Sequence, residues 1–136
     1  MNAAQKRAQL NREAILSASP ARLLTMLYDR LLVDLNRAEA AQLTENWPVA
    51  SENLVHAQAI ISELSSSLDA AAWSGAPGLQ SIYAFATQLL IDANIKHDPA
   101  LTRQAISLME PLRQTWHEAA MAPVAPAAGN AGVHIG

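Results

Sequence analysis

A chain of 136 residues with a net charge of −3 and no cysteine excludes a disulfide framework, a thiolate nucleophile and a zinc site of the cysteine type. Apolar residues make up 51% of the chain and charged residues 15%, so the chain can bury one core and is not disordered throughout. The 28 Ala and 18 Leu favour helices, and the nine scattered basic residues leave no patch that would hold a nucleic acid.

Four helices are predicted, and most begin with a capping side chain beside a proline. Ser19-Pro20 and Asp98-Pro99 have this form, and Asn46-Trp47-Pro48 repeats it with the proline one position later. The capping oxygen accepts from a free N–H of the first turn, and proline at N1 lacks a hydrogen that the helix does not use. The predicted ranges are 20–43, 48–71, 78–96 and 99–120. Pro111 is expected to kink the fourth helix, because proline removes a backbone donor.

The connections between these helices are short, which makes successive helices antiparallel neighbours. The predicted fold is therefore all-α, an antiparallel up-down-up-down four-helix bundle over residues 19–120. Residues 1–18 form a short N-terminal segment with weak amphipathic character. Residues 121–136 carry no charge and read as a flexible Ala/Pro/Gly tail.

No motif of a catalytic or metal site is recognisable in the sequence. A di-metal carboxylate bundle needs Glu-x-x-His motifs on two helices, and none occurs. Glu52 and His56 lie four residues apart and are interpreted as a surface pair. His56 also lacks the following Lys-Gly of a phosphotransfer histidine, so we expect neither an enzyme nor a cofactor. The uncharged stretch 70–91 is interrupted by glycine, proline and glutamine, so no membrane insertion is expected.

The helices carry more apolar residues than the core stripe of a four-helix bundle needs. Leu23, Leu32, Tyr83 and Leu90 fall outside the main stripes of their helices. Monomers seldom expose large apolar patches, and an amphipathic helix laid in a groove is a common cover for one. The residues alone therefore predict a module that binds a helical partner, with a self-associating structural or assembly adaptor as the alternative.

Five segments in order along the chain resemble the flagellar secretion chaperones, the FliS family. The first begins Ser-Pro and carries Met-Leu-Tyr-Asp at 26–29, and the others are Ala-Gln-Ala-Ile-Ile-Ser-Glu-Leu at 57–64, Leu79 with Tyr83, Ala-Asn-Ile-Lys-His-Asp at 93–98 and Leu-Arg-Gln-Thr-Trp at 112–116. Together they run across about residues 10 to 118. Each match alone is weak, but five at consistent spacing on a predicted bundle are specific.

This resemblance implies a non-enzymatic export chaperone in the cytoplasm. Such a protein binds the C-terminal helical segment of flagellin, prevents premature polymerisation and delivers flagellin to the flagellar type III export gate. A flagellin segment that is disordered when free would fold on the apolar surface, and the ordering cost would keep release feasible. The free chaperone is expected to be a monomer or a weak dimer.

The resemblance implies a flagellin groove and a cap, and the groove residues follow from the resemblance together with the off-stripe positions, of which Tyr83 and Leu90 are not needed inside a bundle of this size. The groove residues are Tyr28, Asp29, Leu32, Leu79, Tyr83, Leu90, Asn94 and Ile95. The cap over part of that groove is the segment 1–18, with Leu10, Ile15 and Leu16 as its contacts. Leu10 stands where the family usually has a tyrosine, and Arg30 stands where a glycine often follows Tyr-Asp.

Overall fold

The computed structural model describes residues 2–17, 19–68 and 74–121, with backbone alone for 13–17. Within these residues the chain is all-helical, as predicted from the sequence. Of the predicted tail at 121–136, Met121 is helical and residues 122–136 lie outside the described residues. The helices are α1 (Ala3–Ser17), α2 (Pro20–Leu43), α3 (Trp47–Ser67), α4 (Ala76–Lys96) and α5 (Pro99–Met121).

The predicted capping residues lie at the starts of three helices. The Ser19 side chain accepts a hydrogen bond from the Arg22 N–H at 3.2 Å, and the Ala100 N–H donates to Asp98 Oδ1 at 2.9 Å. Asn46 caps α3 in the same way. The predicted end of α3 near residue 71 is wrong, because the backbone is already extended at Leu68, with φ −84° and ψ 119°. The fourth predicted helix, α5, continues through Pro111 to Met121.

The four longer helices pack around one core. α2 packs on α3 and α5, and α4 packs on the same two helices, which is the set of neighbours that an up-down-up-down order requires. Apolar side chains from all four helices fill the centre of this bundle. The largest fully buried apolar side chains are Tyr28, Leu31, Leu35, Leu54, Ile61, Leu64, Leu90 and Met109.

A buried polar network joins three helices inside this core. The Thr102 hydroxyl donates to Gln42 Oε1 at 2.6 Å, and Gln42 Nε2 donates to the Ala93 carbonyl at 3.2 Å. Thr102 and Gln42 are 0% and 2% exposed, so each polar atom depends on its protein partner rather than on water. The network fixes α2, α4 and α5 relative to one another.

The α2–α3 and α4–α5 turns pack against each other at one end of the bundle. Glu45 in the α2–α3 turn and His97 in the α4–α5 turn both take left-handed backbone, with φ 58° and 53°. The His97 ring lies parallel to the Trp47 ring, with centroids 4.2 Å apart. This contact closes the end of the bundle at which α2 and α4 finish.

Candidate binding site

An apolar cavity of about 380 Å3 lies at the opposite end of the bundle, where α2 and α4 begin. All four bundle helices contribute to its walls, and Glu63 is the charged residue among those that line it. The apolar residues of its wall include Leu23, Leu24, Leu27, Leu68, Leu79 and Trp116. A concave, largely apolar site of this size is the usual form of a protein's ligand pocket.

The cavity wall stays partly open to solvent. Leu23 retains 37% of its surface, and Leu24 and Leu27 in the next turn are half-buried. They belong to the first two turns of α2, which begins at Pro20 on the rim. The apolar excess predicted from the sequence is therefore present here as accessible surface that a partner can cover.

A hydrogen-bonded tyrosine pair lies at the base of the cavity, where Tyr83 and Trp116 line the wall and Tyr28 lies beneath them, outside the lining. The hydroxyls of Tyr28 and Tyr83 are hydrogen-bonded at 2.6 Å, and the Trp116 indole approaches Tyr28 as a further donor. Burial is the main cause that raises the pKa of Tyr28 far above its ordinary value, and the hydrogen bond to Tyr83 raises that pKa further. Burial also raises the pKa of Tyr83, while the hydrogen bond from Tyr28 acts in the opposite direction. Both hydroxyls therefore stay protonated at physiological pH.

Of the eight predicted groove residues, Leu79 and Tyr83 line this cavity and Tyr28 lies directly beneath it. Leu90 is 0% exposed inside the bundle. The expectation that Tyr83 and Leu90 lie outside the core is wrong, because the buried face of α4 is wider than one heptad stripe and includes both residues. The Tyr83 side chain therefore belongs to the core and also lines the inner wall of the cavity.

Asp29 and Leu32 lie in a separate shallow groove between α2 and α5. Asp29 Oδ1 accepts from Arg113 at 3.0 Å and lies 2.6 Å from His117 Nε2. Burial would raise the pKa of the Asp29 carboxyl, but the hydrogen bonds from His117 and Arg113 outweigh it and lower that pKa. Asp29 thus holds α2 to the last turns of α5.

Asn94 and Ile95 lie at the far end of α4, about 16–18 Å along the helix axis from Tyr83 at about 1.5 Å per residue. Asn94 Nδ2 donates to Ser51 Oγ at 3.1 Å, which joins α4 to α3. Ile95 is 74% exposed. The structure therefore does not bring the eight predicted residues into one groove.

The predicted cap residues do not contact the cavity through any described side chain. Leu10 is 55% exposed, and the other described side chains of α1 are exposed as well. The side chains of Ile15 and Leu16 lie outside the described residues. The backbone of α1 nevertheless leads to Ser17, three residues before Pro20 on the cavity rim.

The interpretation of Glu52 and His56 as a pair is wrong. His56 Nδ1 instead hydrogen-bonds Asp34 Oδ2 across the α2–α3 contact. Asp34 is 1% exposed, and Arg30 Nε lies 3.0 Å from its other carboxylate oxygen. A buried carboxylate needs such partners, and pairing between helices cannot be read from the spacing on one helix.

Neither a metal site nor a membrane span is found within the described ranges. No group of three or more His, Cys, Asp or Glu side chains there could hold a metal ion. No helix among the same residues is long and apolar enough to cross a membrane.

Sequence reasoning missed most of the cavity wall. Leu24 and Leu27 have the spacing of core residues, and the sequence favours a packing role over a partner contact for Trp116. Leu23 and Trp116 carry a signal in the sequence, because both fall outside the main stripes of their helices. The sequence could not show that the core is incompletely filled at one end.

Comparison with known proteins gives two consistent findings. A family model described as "Flagellar protein FliS" matches residues 1–123. The "Flagellar secretion chaperone FliS" of Bacillus subtilis (strain 168) is 29% identical over 103 residues, which cover 76% of this chain and 77% of that protein. The protein of the same name from Escherichia coli (strain K12) is 30% identical over 112 residues, covering 81% of this chain and 82% of that protein.

Proposed function

The chain belongs to the FliS family of flagellar proteins, and we propose that it binds the C-terminal helical segment of flagellin and delivers it to the flagellar type III export apparatus. As a member of this family the chain is a flagellar export chaperone and not an enzyme. Binding takes place in the cytoplasm and keeps flagellin from polymerising early.

The observation that carries this proposal is the open apolar cavity among the four bundle helices. An amphipathic flagellin segment can place its apolar side chains against Leu23, Leu27 and Leu79, which already form a preorganised wall. Burial of apolar surface drives such binding, and ordering of the segment costs on the order of a few kcal/mol. That cost allows release at the export gate.

Residues 1–18 act as a cap in this proposal. They join α2 at the cavity rim, so they are tethered beside the surface that flagellin needs. A tethered segment has a high effective concentration and competes with flagellin until it is displaced. The cap then limits binding of other apolar chains before flagellin arrives.

A mass measurement separates this function from the self-associating adaptor. We expect light scattering after size exclusion to give a monomer for the free protein and a 1:1 complex after addition of flagellin. A constitutive dimer whose mass does not respond to flagellin would contradict the chaperone proposal, because its apolar surface would be buried between two copies.

A further inference from the structure

The tyrosine pair beneath the cavity has one hydroxyl hydrogen more than its own contacts use. Each tyrosine hydroxyl can donate one hydrogen bond, and the Tyr28–Tyr83 contact consumes one of the two hydrogens. The described residues offer no acceptor to the second hydrogen. Trp116 adds a donor to Tyr28 and not an acceptor.

The position of each tyrosine indicates which one holds the spare hydrogen. Tyr28 is 0% exposed and does not line the cavity, whereas Tyr83 does. If Tyr28 donates to Tyr83, the remaining hydrogen lies on Tyr83, which is the tyrosine of the pair that lines the cavity and which also borders a second pocket between α3 and α4. The reverse arrangement would leave the hydrogen on Tyr28, inside the core, where an unmet donor is costly.

Tyr83 is 2% exposed, so water has little access to this hydroxyl in the free protein, and a partner that fills the cavity gains binding energy by supplying an acceptor. Carbonyl groups in the middle of a helix already accept hydrogen bonds, but the last four carbonyls of a helix are free. Glu63 on the rim adds a negative charge beside the cavity. Such a charge suits the basic residues that are favoured in the last turn of a helix.

We propose that the cavity receives the C-terminal turn of a partner helix, with an apolar side chain against the leucine wall and a free backbone carbonyl accepting from Tyr83. This inference rests on the proposed function and specifies which part of the flagellin helix enters the cavity. The leucine wall supplies most of the burial, and Tyr83 sets the position of the helix end.

Two single-oxygen variants of the full chain test this inference. Tyr83→Phe removes the donor, while Tyr28→Phe breaks the same tyrosine–tyrosine hydrogen bond but leaves the Tyr83 hydrogen in place. The probe is a fluorescent synthetic peptide that covers the C-terminal helical segment of flagellin from the same organism, followed by anisotropy. Tyr83→Phe should raise Kd about five- to tenfold, and Tyr28→Phe should change it by less than about twofold. Urea unfolding should show similar losses of stability for both variants.

The outcomes separate the possible failures. Unchanged binding by Tyr83→Phe, or equal weakening in both variants, would overturn the donor role while leaving flagellin binding intact. A peptide shortened by one turn at the C-terminal end of its helix should lose affinity for the original chain and lose less for Tyr83→Phe. Equal losses in the two proteins would overturn the assignment to the helix end. Failure of the original chain to bind either peptide would overturn the proposed function together with this inference.

Discussion

Replacement of Leu23 by alanine tests whether the cavity wall contacts flagellin. Leu23 is 37% exposed in the free protein, so a partner can still bury about a third of its surface. Complete burial of a leucine side chain is worth about 1.5–3 kcal/mol, and the exposed share therefore corresponds to about 0.6–1.1 kcal/mol. Loss of this contribution should raise Kd for the flagellin peptide about three- to sixfold.

Ile95→Ala is the matched control for this prediction. Ile95 is 74% exposed and lies at the other end of α4, away from the cavity. Titration calorimetry with the two variants should show weaker binding for Leu23→Ala and unchanged binding for Ile95→Ala. The placement of the site would be refuted if Leu23→Ala bound like the original chain, or if Ile95→Ala were weakened as much.

Three further predictions concern the bundle and its N-terminal segment. Thr102→Val leaves the buried Gln42 Oε1 without its donor and should lower the free energy of unfolding by about 1–3 kcal/mol in urea titrations. Thr102→Ser retains the donating hydroxyl and should keep most of the stability of the original chain. The pKa of Asp29 is lowered from 3.8, because hydrogen bonds from α5 outweigh burial, so its stabilising contribution is present above pH 3.8 and is lost as the pH falls through the folded-state pKa. The stability of Asp29→Asn should lack this loss at acid pH when its unfolding curves are compared with those of the original chain. An identical loss of stability at acid pH in the two proteins would contradict the stabilising role of the Asp29 carboxylate. Deletion of residues 1–18 should raise the association rate or change the affinity for flagellin in stopped-flow and equilibrium measurements; no change in either would refute the cap.

The sequence predicts the helices well because their boundaries depend on local chemistry. Ser19 and Asp98 cap their helices as expected, since a capping side chain acts within three residues of itself. The end of α3 is predicted too late, because alanines after Leu68 are good helix formers and offer no stop signal before Gly75.

The binding site was less predictable because it depends on how the helices meet. Heptad spacing separates a core face from a surface face, but it cannot show whether the core is filled at a given level. Tyr83 illustrates this limit, since its side chain is both a core residue and part of the cavity floor. His56 gives a second example, because its partner Asp34 lies on another helix, 22 residues away in the sequence.

Calorimetric titration of the full chain with the C-terminal helical segment of flagellin tests the central claim most directly. If an ordered flagellin helix covers the apolar cavity, binding should be tight and 1:1, and its heat-capacity change should be negative because apolar surface is buried. Absence of heat at micromolar concentrations across several temperatures, with no complex seen by light scattering, would contradict flagellin binding and favour the self-associating adaptor.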